Sequence, residues 1–148
     1  YSNSLAPLVL AICYGVYGSD VFIYAFIASV ATANGDTLAS EIGETSRSKP
    51  IMITTFRQTE PGVDGGVTPL GEAASLAGAL IIGLLATGMG MAGAFGIVVA
   101  AIGGFLGTNF DSLLGATMQS RGILSNNGVN LAATAFGALV GAALWYIL

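Results

Sequence analysis

The stretch Asn127-Gly-Val-Asn-Leu-Ala-Ala-Thr-Ala-Phe-Gly-Ala-Leu-Val-Gly-Ala-Ala-Leu-Trp-Tyr-Ile-Leu148 carries no charged side chain. A helix crossing the hydrocarbon of a bilayer needs about 20 mostly apolar residues, and this stretch supplies them. Trp145 and Tyr146 close it as an aromatic pair expected at the headgroup level. Working back along the chain, the run from near Ala92 to Met118 is of the same kind, interrupted by Gly103, Gly104, Gly107 and the polar pair Thr108-Asn109. Pro69 to about Gly90 predicts another helix, with proline at its first position and Glu72 in its first turn, where the helix dipole favours an acid. Val21 to Ala33 continues through Asn34-Gly35-Asp36 to Ile42. Leu5 to Tyr17 is short for a span and reads as a tilted, re-entrant or partial helix, or as the tail of a helix begun upstream.

Composition requires the same class. The 148 residues are 54% hydrophobic and 8% charged, against roughly 25% charged in soluble domains. Such a chain cannot clothe itself in polar groups, and lipid must do so instead. The 22 glycines fit helices that approach closely within a membrane. The expected fold is all-α: a polytopic transmembrane protein of about five helical segments, with a loop between the second and third. Residues 1–148 are read as a single transmembrane domain and as the C-terminal part of a longer protein.

The same composition excludes several functions. A net charge of −4 gives no basic footprint for nucleic acid. The absence of histidine removes histidine catalysis and histidine metal ligation. Cys13 has no second cysteine to pair with and is read as a packed core thiol.

Gly43 to Thr68 differs from its flanks. It holds Arg47, Lys49 and Arg57, three of the four basic residues. It reads as a water-exposed loop, with Ile51 to Phe56 β-prone enough for a small hairpin. Basic residues favour the cytoplasmic side, which puts this loop there and returns Arg121 to the same face two crossings later. Asp36, Asn109, Asp111, Asn126, Asn127 and Asn130 then all gather near the cytoplasmic face.

Four polar groups carry the chemistry. In Asn34-Gly-Asp-Thr-Leu-Ala-Ser-Glu41, the helical period puts Ser29, Asp36, Ser40 and Gly43 on one face. An acid beside apolar helix costs about 2.5–3.5 kcal/mol at the bilayer centre, and the alternative for Asp36 is a helix-end residue at headgroup level. In Gly107-Thr-Asn-Phe-Asp111, Asn109 and Asp111 either serve a ligand or tie helices together. Asn126 and Asn130, and Asn127 and Asn130, share a face, while Asn127 alone would be explained as a cap. The loop offers Lys49, Thr54, Arg57 and the glycines Gly65-Gly66 just before a helix start, where backbone N–H groups can meet phosphate. It contains no Walker pattern and is otherwise an ordinary loop. Together, Asp36 and Asp111 suit Mg²⁺, which takes few protein oxygens and several from phosphates. Phosphoryl transfer needs this positioning and charge neutralisation more than a strong nucleophile.

The segments Asn34-Gly-Asp-Thr-Leu-Ala-Ser-Glu-Ile-Gly43, Ile53-Thr-Thr-Phe56 with Pro61-Gly-Val-Asp-Gly-Gly-Val67, Asp111-Ser-Leu-Leu-Gly-Ala-Thr-Met-Gln119 and Asn126-Asn-Gly-Val-Asn130 resemble a family of polytopic proteins. This is the domain-of-unknown-function family 92, which includes plant phytyl-phosphate kinase. A looser similarity joins the pattern to membrane enzymes that use CTP, the phosphatidate cytidylyltransferases and polyprenol kinases. The resemblance implies Asp36 and Asp111 as metal ligands, with Asn109 beside them. It implies Lys49 as a catalytic basic residue, and Arg57, Thr54, Gly65, Gly66, Asn126, Asn127 and Asn130 as nucleotide or phosphate contacts. The implied activity is a kinase that phosphorylates an isoprenyl monophosphate, phytyl or geranylgeranyl phosphate, with CTP or another NTP and Mg²⁺. The expected partners are the bilayer, the isoprenyl phosphate and the nucleotide, with a homo-oligomer left open. The rivals are a CTP-dependent lipid-phosphate nucleotidyltransferase, an ion-coupled transporter using Asp36 and Asp111 for a cation, and a structural subunit.

Overall fold

Among the described residues, four helices are long and apolar enough to cross a membrane: Asp20–Gly43, Pro69–Gly88, Phe95–Gln119 and Asn126–Ile147. The computed structural model describes residues 2–147. In chain order the elements are α1 (Ser2–Tyr17), α2 (Asp20–Gly43), β1 (Ile51–Met52), β2 (Gly66–Val67), α3 (Pro69–Gly88), α4 (Phe95–Leu114) and α5 (Asn126–Ile147), with a π-helical turn at Gly115–Gln119 between the last two. The chain is an all-α polytopic integral membrane protein.

Local chemistry sets the helix ends. Gly18, at φ 63°, reverses the chain between α1 and α2 where an L side chain would be strained. Thr68 caps α3 by accepting from the Gly71 N–H at 3.0 Å, and Pro69 follows it. Ser125, rather than Asn127, caps α5, its Oγ accepting from the Gly128 N–H at 3.2 Å.

The helices are arranged around α2, against which α1, α3, α4 and α5 all pack. Small residues allow this. A methyl group at Gly103 would stand 2.6 Å from the Ala28 Cβ, and one at Gly141 would stand 2.6 Å from the Tyr24 carbonyl oxygen. Thr32 fits between Gly107 of α4 and Gly137 of α5, with no room for a side chain on either. Its hydroxyl donates to the carbonyls of Ala28 at 2.9 Å and Gly103 at 3.3 Å. Ser29 donates to the Thr134 carbonyl of α5 at 2.9 Å, and the Asn34 amide to Gly78 of α3 at 3.0 Å. Such bonds, made where no water competes, fix the rotation of α2 about its own axis.

Several expectations change or sharpen. The Gly103–Asn109 region does not interrupt its helix, because α4 runs unbroken from Phe95 to Leu114. The glycines are buried against neighbours, and the polar side chains fold back onto their own helix. Thr108 donates to the Gly104 carbonyl at 3.1 Å and Asn109 to that of Phe105 at 3.0 Å. Trp145 is half-buried near the end of α5 and has a ring partner within the bundle. It stacks on Tyr24 at 4.8 Å between centroids, and Tyr24 meets Phe95 at 5.4 Å, while Tyr146 is exposed. The hairpin is not confined to residues 51–56, since β1 pairs antiparallel with β2, Ile51 opposite Val67 and Met52 opposite Gly66. Cys13 is half-buried rather than fully packed.

Gly103→Leu and Gly141→Leu each wedge a neighbouring helix away from α2. The expected outcome is a loss of about 1–3 kcal/mol, seen as a lower melting temperature in detergent. Leu139→Ala, at an outward-facing position, leaves melting nearly unchanged.

Candidate functional site

Fixing the rotation of α2 decides where Asp36 points. A methyl group at Gly35 would lie 2.9 Å from Thr108 Oγ1 and 3.1 Å from both the carbonyl oxygen and Oγ of Ser75. Gly35 is therefore wedged between α3 and α4, and Asp36 turns into an adjoining cavity of ≈ 420 Å³. Ser40 and Gly43, on later turns of α2, reach the same cavity. Helix α4 contributes Thr108, Asp111 and Ser112, and α5 contributes Asn126 and Asn130. The glycine turn contributes Gly65 and Gly66, and α3 begins at the cavity with Thr68, Gly71 and Glu72.

The glycine turn is clamped in place. Gly65 has φ 82° and lies so close against Ala116 of the π-helical turn that a Cβ would collide with it. Asp64 beside it accepts from Gln119 Nε2 at 3.0 Å. The π-helical turn itself closes with the Ser120 N–H donating to the Gly115 carbonyl at 3.0 Å. Such turns are rare and occur mostly at functional sites. This contact also shows that the loop after α2 and the segment after α4 lie at the same end of the bundle.

The sequence-predicted residues separate into two sets. Asp36, Asp111, Gly65, Gly66, Asn126 and Asn130 line one cavity. Lys49, Thr54, Arg57, Asn109 and Asn127 do not line it. Lys49 pairs with Glu60 at 3.3 Å, both side chains largely in solvent. Thr54 and Arg57 are exposed in the turn beyond β1. Asn109 donates to Glu72 Oε2 at 3.0 Å and ties α4 to α3. Asn127 accepts from Ser2 Oγ at 3.4 Å, linking α5 to α1. Sequence reasoning did not select Asn3, Asp64, Glu72, Ser112 or Gln119, all of which line the cavity. The Asp64-Gly-Gly66 turn and the run Asp111 to Gln119 were the available signals.

The electrostatics are one-sided. Asp36, Glu41, Glu44, Asp64, Glu72 and Asp111 line the cavity, and among the described residues no lysine or arginine does. Asp36 and Asp64 are the charged neighbours acting on Asp111. Asp111 Oδ2 is buried with no hydrogen-bond partner. A bare carboxylate oxygen among other carboxylates calls for a cation. Among the described residues no three acidic or thiol side chains converge as a ready-made metal cage. Asp36 and Asp111 fit an ion such as Mg²⁺, which takes few protein oxygens, better than a fully protein-ligated ion. The start of α5 supplies backbone N–H groups for anionic oxygens, whereas the Gly66 N–H is held by the Val63 carbonyl at 3.0 Å and the Gly71 N–H by Thr68.

A bundle of membrane-crossing helices with an acidic cavity at one end defines a polytopic membrane protein with a ligand site at one face. The chain belongs to the family described as integral membrane protein DUF92, which it matches over residues 1–138. It is 39% identical over 145 residues to an uncharacterized membrane protein of Methanocaldococcus jannaschii, covering 97% of this chain and 60% of that protein. It is 32% identical over 137 residues to an uncharacterized membrane protein of Synechocystis, covering 91% of this chain and 53% of that one. It is 26% identical over 129 residues to the chloroplastic protein VTE6 of Arabidopsis thaliana, covering 85% of this chain and 39% of that one. The chain thus spans less than two thirds of the length of each of these relatives. No solved structure matches it.

Gly65→Val places a branched side chain at positive φ and against Ala116. Such strain costs of order 1–3 kcal/mol. The expected outcome is undocking of the turn, read as roughly tenfold faster proteolysis between residues 56 and 66, with helical circular dichroism unchanged.

Proposed function

We propose that the protein transfers a phosphoryl group from a nucleoside triphosphate, CTP by family resemblance, to an isoprenyl monophosphate, with Mg²⁺. The observation that carries this is the meeting of Asp36 and Asp111 in one cavity, at the end of a lipid-embedded bundle, under a glycine turn. The acceptor is itself a phosphate. Its oxygen attacks the γ-phosphorus, the bond from that phosphorus to the bridging oxygen breaks, and the nucleoside diphosphate leaves. No strong protein base is needed. Bound Mg²⁺ supplies charge neutralisation for the phosphates. Asp36 and Asp111 are the residues to hold it, and the side-chain amides of Asn126 and Asn130, with the N–H groups at the start of α5, orient phosphate oxygens. Membership of a family that the sequence resembles through its plant phytyl-phosphate kinase supports the substrate class. On this reading the cavity faces the cytoplasm, and Lys49 and Arg57 act from outside it by attracting the anionic nucleotide.

A second reading draws on the all-acidic lining, which also suits a cation bound for its own sake, as in an ion-coupled carrier. Nucleotidyl transfer to a lipid phosphate is the third, since it uses the same groups and releases pyrophosphate.

The deciding experiment incubates the full-length protein in detergent with Mg²⁺, labelled CTP and phytyl phosphate. Phytyl diphosphate with CDP is the expected result. A CMP-lipid with pyrophosphate moves the assignment to nucleotidyl transfer, and no turnover with any nucleotide moves it to the carrier. Asp36→Asn and Asp111→Asn are each expected to lower kcat by at least the roughly 10–100-fold typical of a disturbed metal site. Lys49→Ala is expected to cost less than about tenfold in kcat/KM, and less still at high salt. If neither aspartate variant changes kcat, the site is misassigned.

A further inference from the structure

A second concavity lies at the opposite end of the bundle, ≈ 350 Å³ in volume, between α1, α2 and the α3–α4 connection. Ala11, Tyr14, Ile23, Phe26, Gly90 and Met91 line it. Helix α2 links the two spaces. Helix α1 packs on α2 and α5, and α3 packs on α2 and α4, while α1 and α3 scarcely meet. A strip of α2 is therefore left without a covering helix. Ile23, Phe26, Val30, Ala33 and Thr37 follow the three-and-four spacing of one helix face. The first four are half-buried and Thr37 is exposed. Ile23 and Phe26 line the apolar concavity, and Thr37 lines the acidic cavity. Helix α1 flanks the strip throughout, with Asn3 at the acidic cavity and Tyr14 at the apolar one.

We propose that this strip is the floor of a groove that holds the hydrocarbon tail of a single-chain lipid phosphate, with its head in the acidic cavity and its tail end between Tyr14, Phe26 and Met91. The proposal rests on the cavity being the headgroup site. An occupant must be polar at one end and apolar along the rest, as the groove is, and it must reach from one space to the other. From Asn3 to Tyr14 along α1 is about 17 Å, and from Ile23 to Thr37 along α2 about 21 Å, at 1.5 Å per helical residue. An extended carbon chain advances roughly 1.3 Å per bond, from C–C bonds of about 1.5 Å at a tetrahedral angle, so the groove takes about 13 to 16 chain carbons. Four isoprene units, at four chain carbons each, fill that length. Gly90 and Met91 line the far end, and a chain much longer than this would run past them out of the groove.

The test is photo-crosslinking on the full-length protein in lipid nanodiscs without nucleotide. The probe is an isoprenyl monophosphate of four units with a diazirine at its tail end. Adducts on Tyr14, Phe26 or Met91, removed by excess phytyl phosphate, are the expected result. Adducts confined to outward-facing Leu8, Leu84 or Leu139, or not removed by competition, overturn the groove, as they would if another helix or bulk lipid filled it. A second measurement uses Ile23→Trp, at the far end of the groove, expected to raise KM about tenfold for a four-unit acceptor while leaving a two-unit acceptor, too short to reach it, unchanged. An equal rise for both overturns the placement of the tail. Competed adducts at Phe26 without turnover refute the reaction and support the groove. Turnover with adducts elsewhere does the reverse.

Discussion

The fold depends on how closely α4 and α5 can approach α2. Thr32 sits where the three meet, its side chain against Gly107 and Gly137 and its hydroxyl bonded to carbonyls of α2 and α4. Within lipid no water competes for a hydroxyl or separates two backbones, so helix packing is set by shape and by a few hydrogen bonds. Glycine at the crossings brings the backbones together. Thr32, Ser29 and Asn34 then fix the one rotation of α2 at which their bonds are all made. The position of Asp36 follows from that rotation, since Gly35 beside it fits only between Ser75 and Thr108.

The cavity is built from parts distant in the sequence. The glycine turn belongs to the loop after α2, yet its place is fixed by the π-helical turn after α4. Gly65 rests on Ala116, and Asp64 accepts from Gln119. The extra residue per turn in the π segment shifts the backbone just beyond Asp111 and Ser112, so the carboxylate and the surface that seats the turn come from one continuous stretch. Charge distribution follows a different logic. Acids line the space and the basic side chains stay in solvent outside it, leaving backbone N–H groups, amides and any bound cation to meet an anion.

Much of this was legible in the sequence. Long uncharged runs set the spans, because lipid imposes one period and one length. Pro69 and Glu72 marked the start of α3 correctly. The gathering of Asp36, Asp111, Asn126 and Asn130 at one end followed from counting crossings. Other features were not legible, for physical reasons. Glycine in water weakens a helix, so Gly103 to Gly107 read as an interruption, whereas between packed helices the same residues permit close contact. The stacking of Trp145 on Tyr24 was not legible either, because the two rings come from helices far apart in the sequence. Lys49 and Arg57 have long side chains on a loop, and their spacing says nothing of direction. Asn109 could have been assigned otherwise from the start, since residues two apart on a helix face different ways and Asp111 and Asn109 cannot share a site easily. Asp64 and Gln119 lay in segments the sequence singled out, but their pairing was not legible, because a contact across 55 positions leaves no local pattern.

The stack of Phe95, Tyr24 and Trp145 lies on the same helices as the acidic cavity but toward their other ends. It fills the space between the helices there with aromatic rings in place of polar groups. A transmembrane voltage drops across the part of a protein that excludes water, at about 2.3 kcal/mol per charge per 100 mV over the full drop. The cavity, open to its own side, stays near the potential of the solution it faces. Charged ligands can therefore enter and leave it while crossing little of the membrane's electric field.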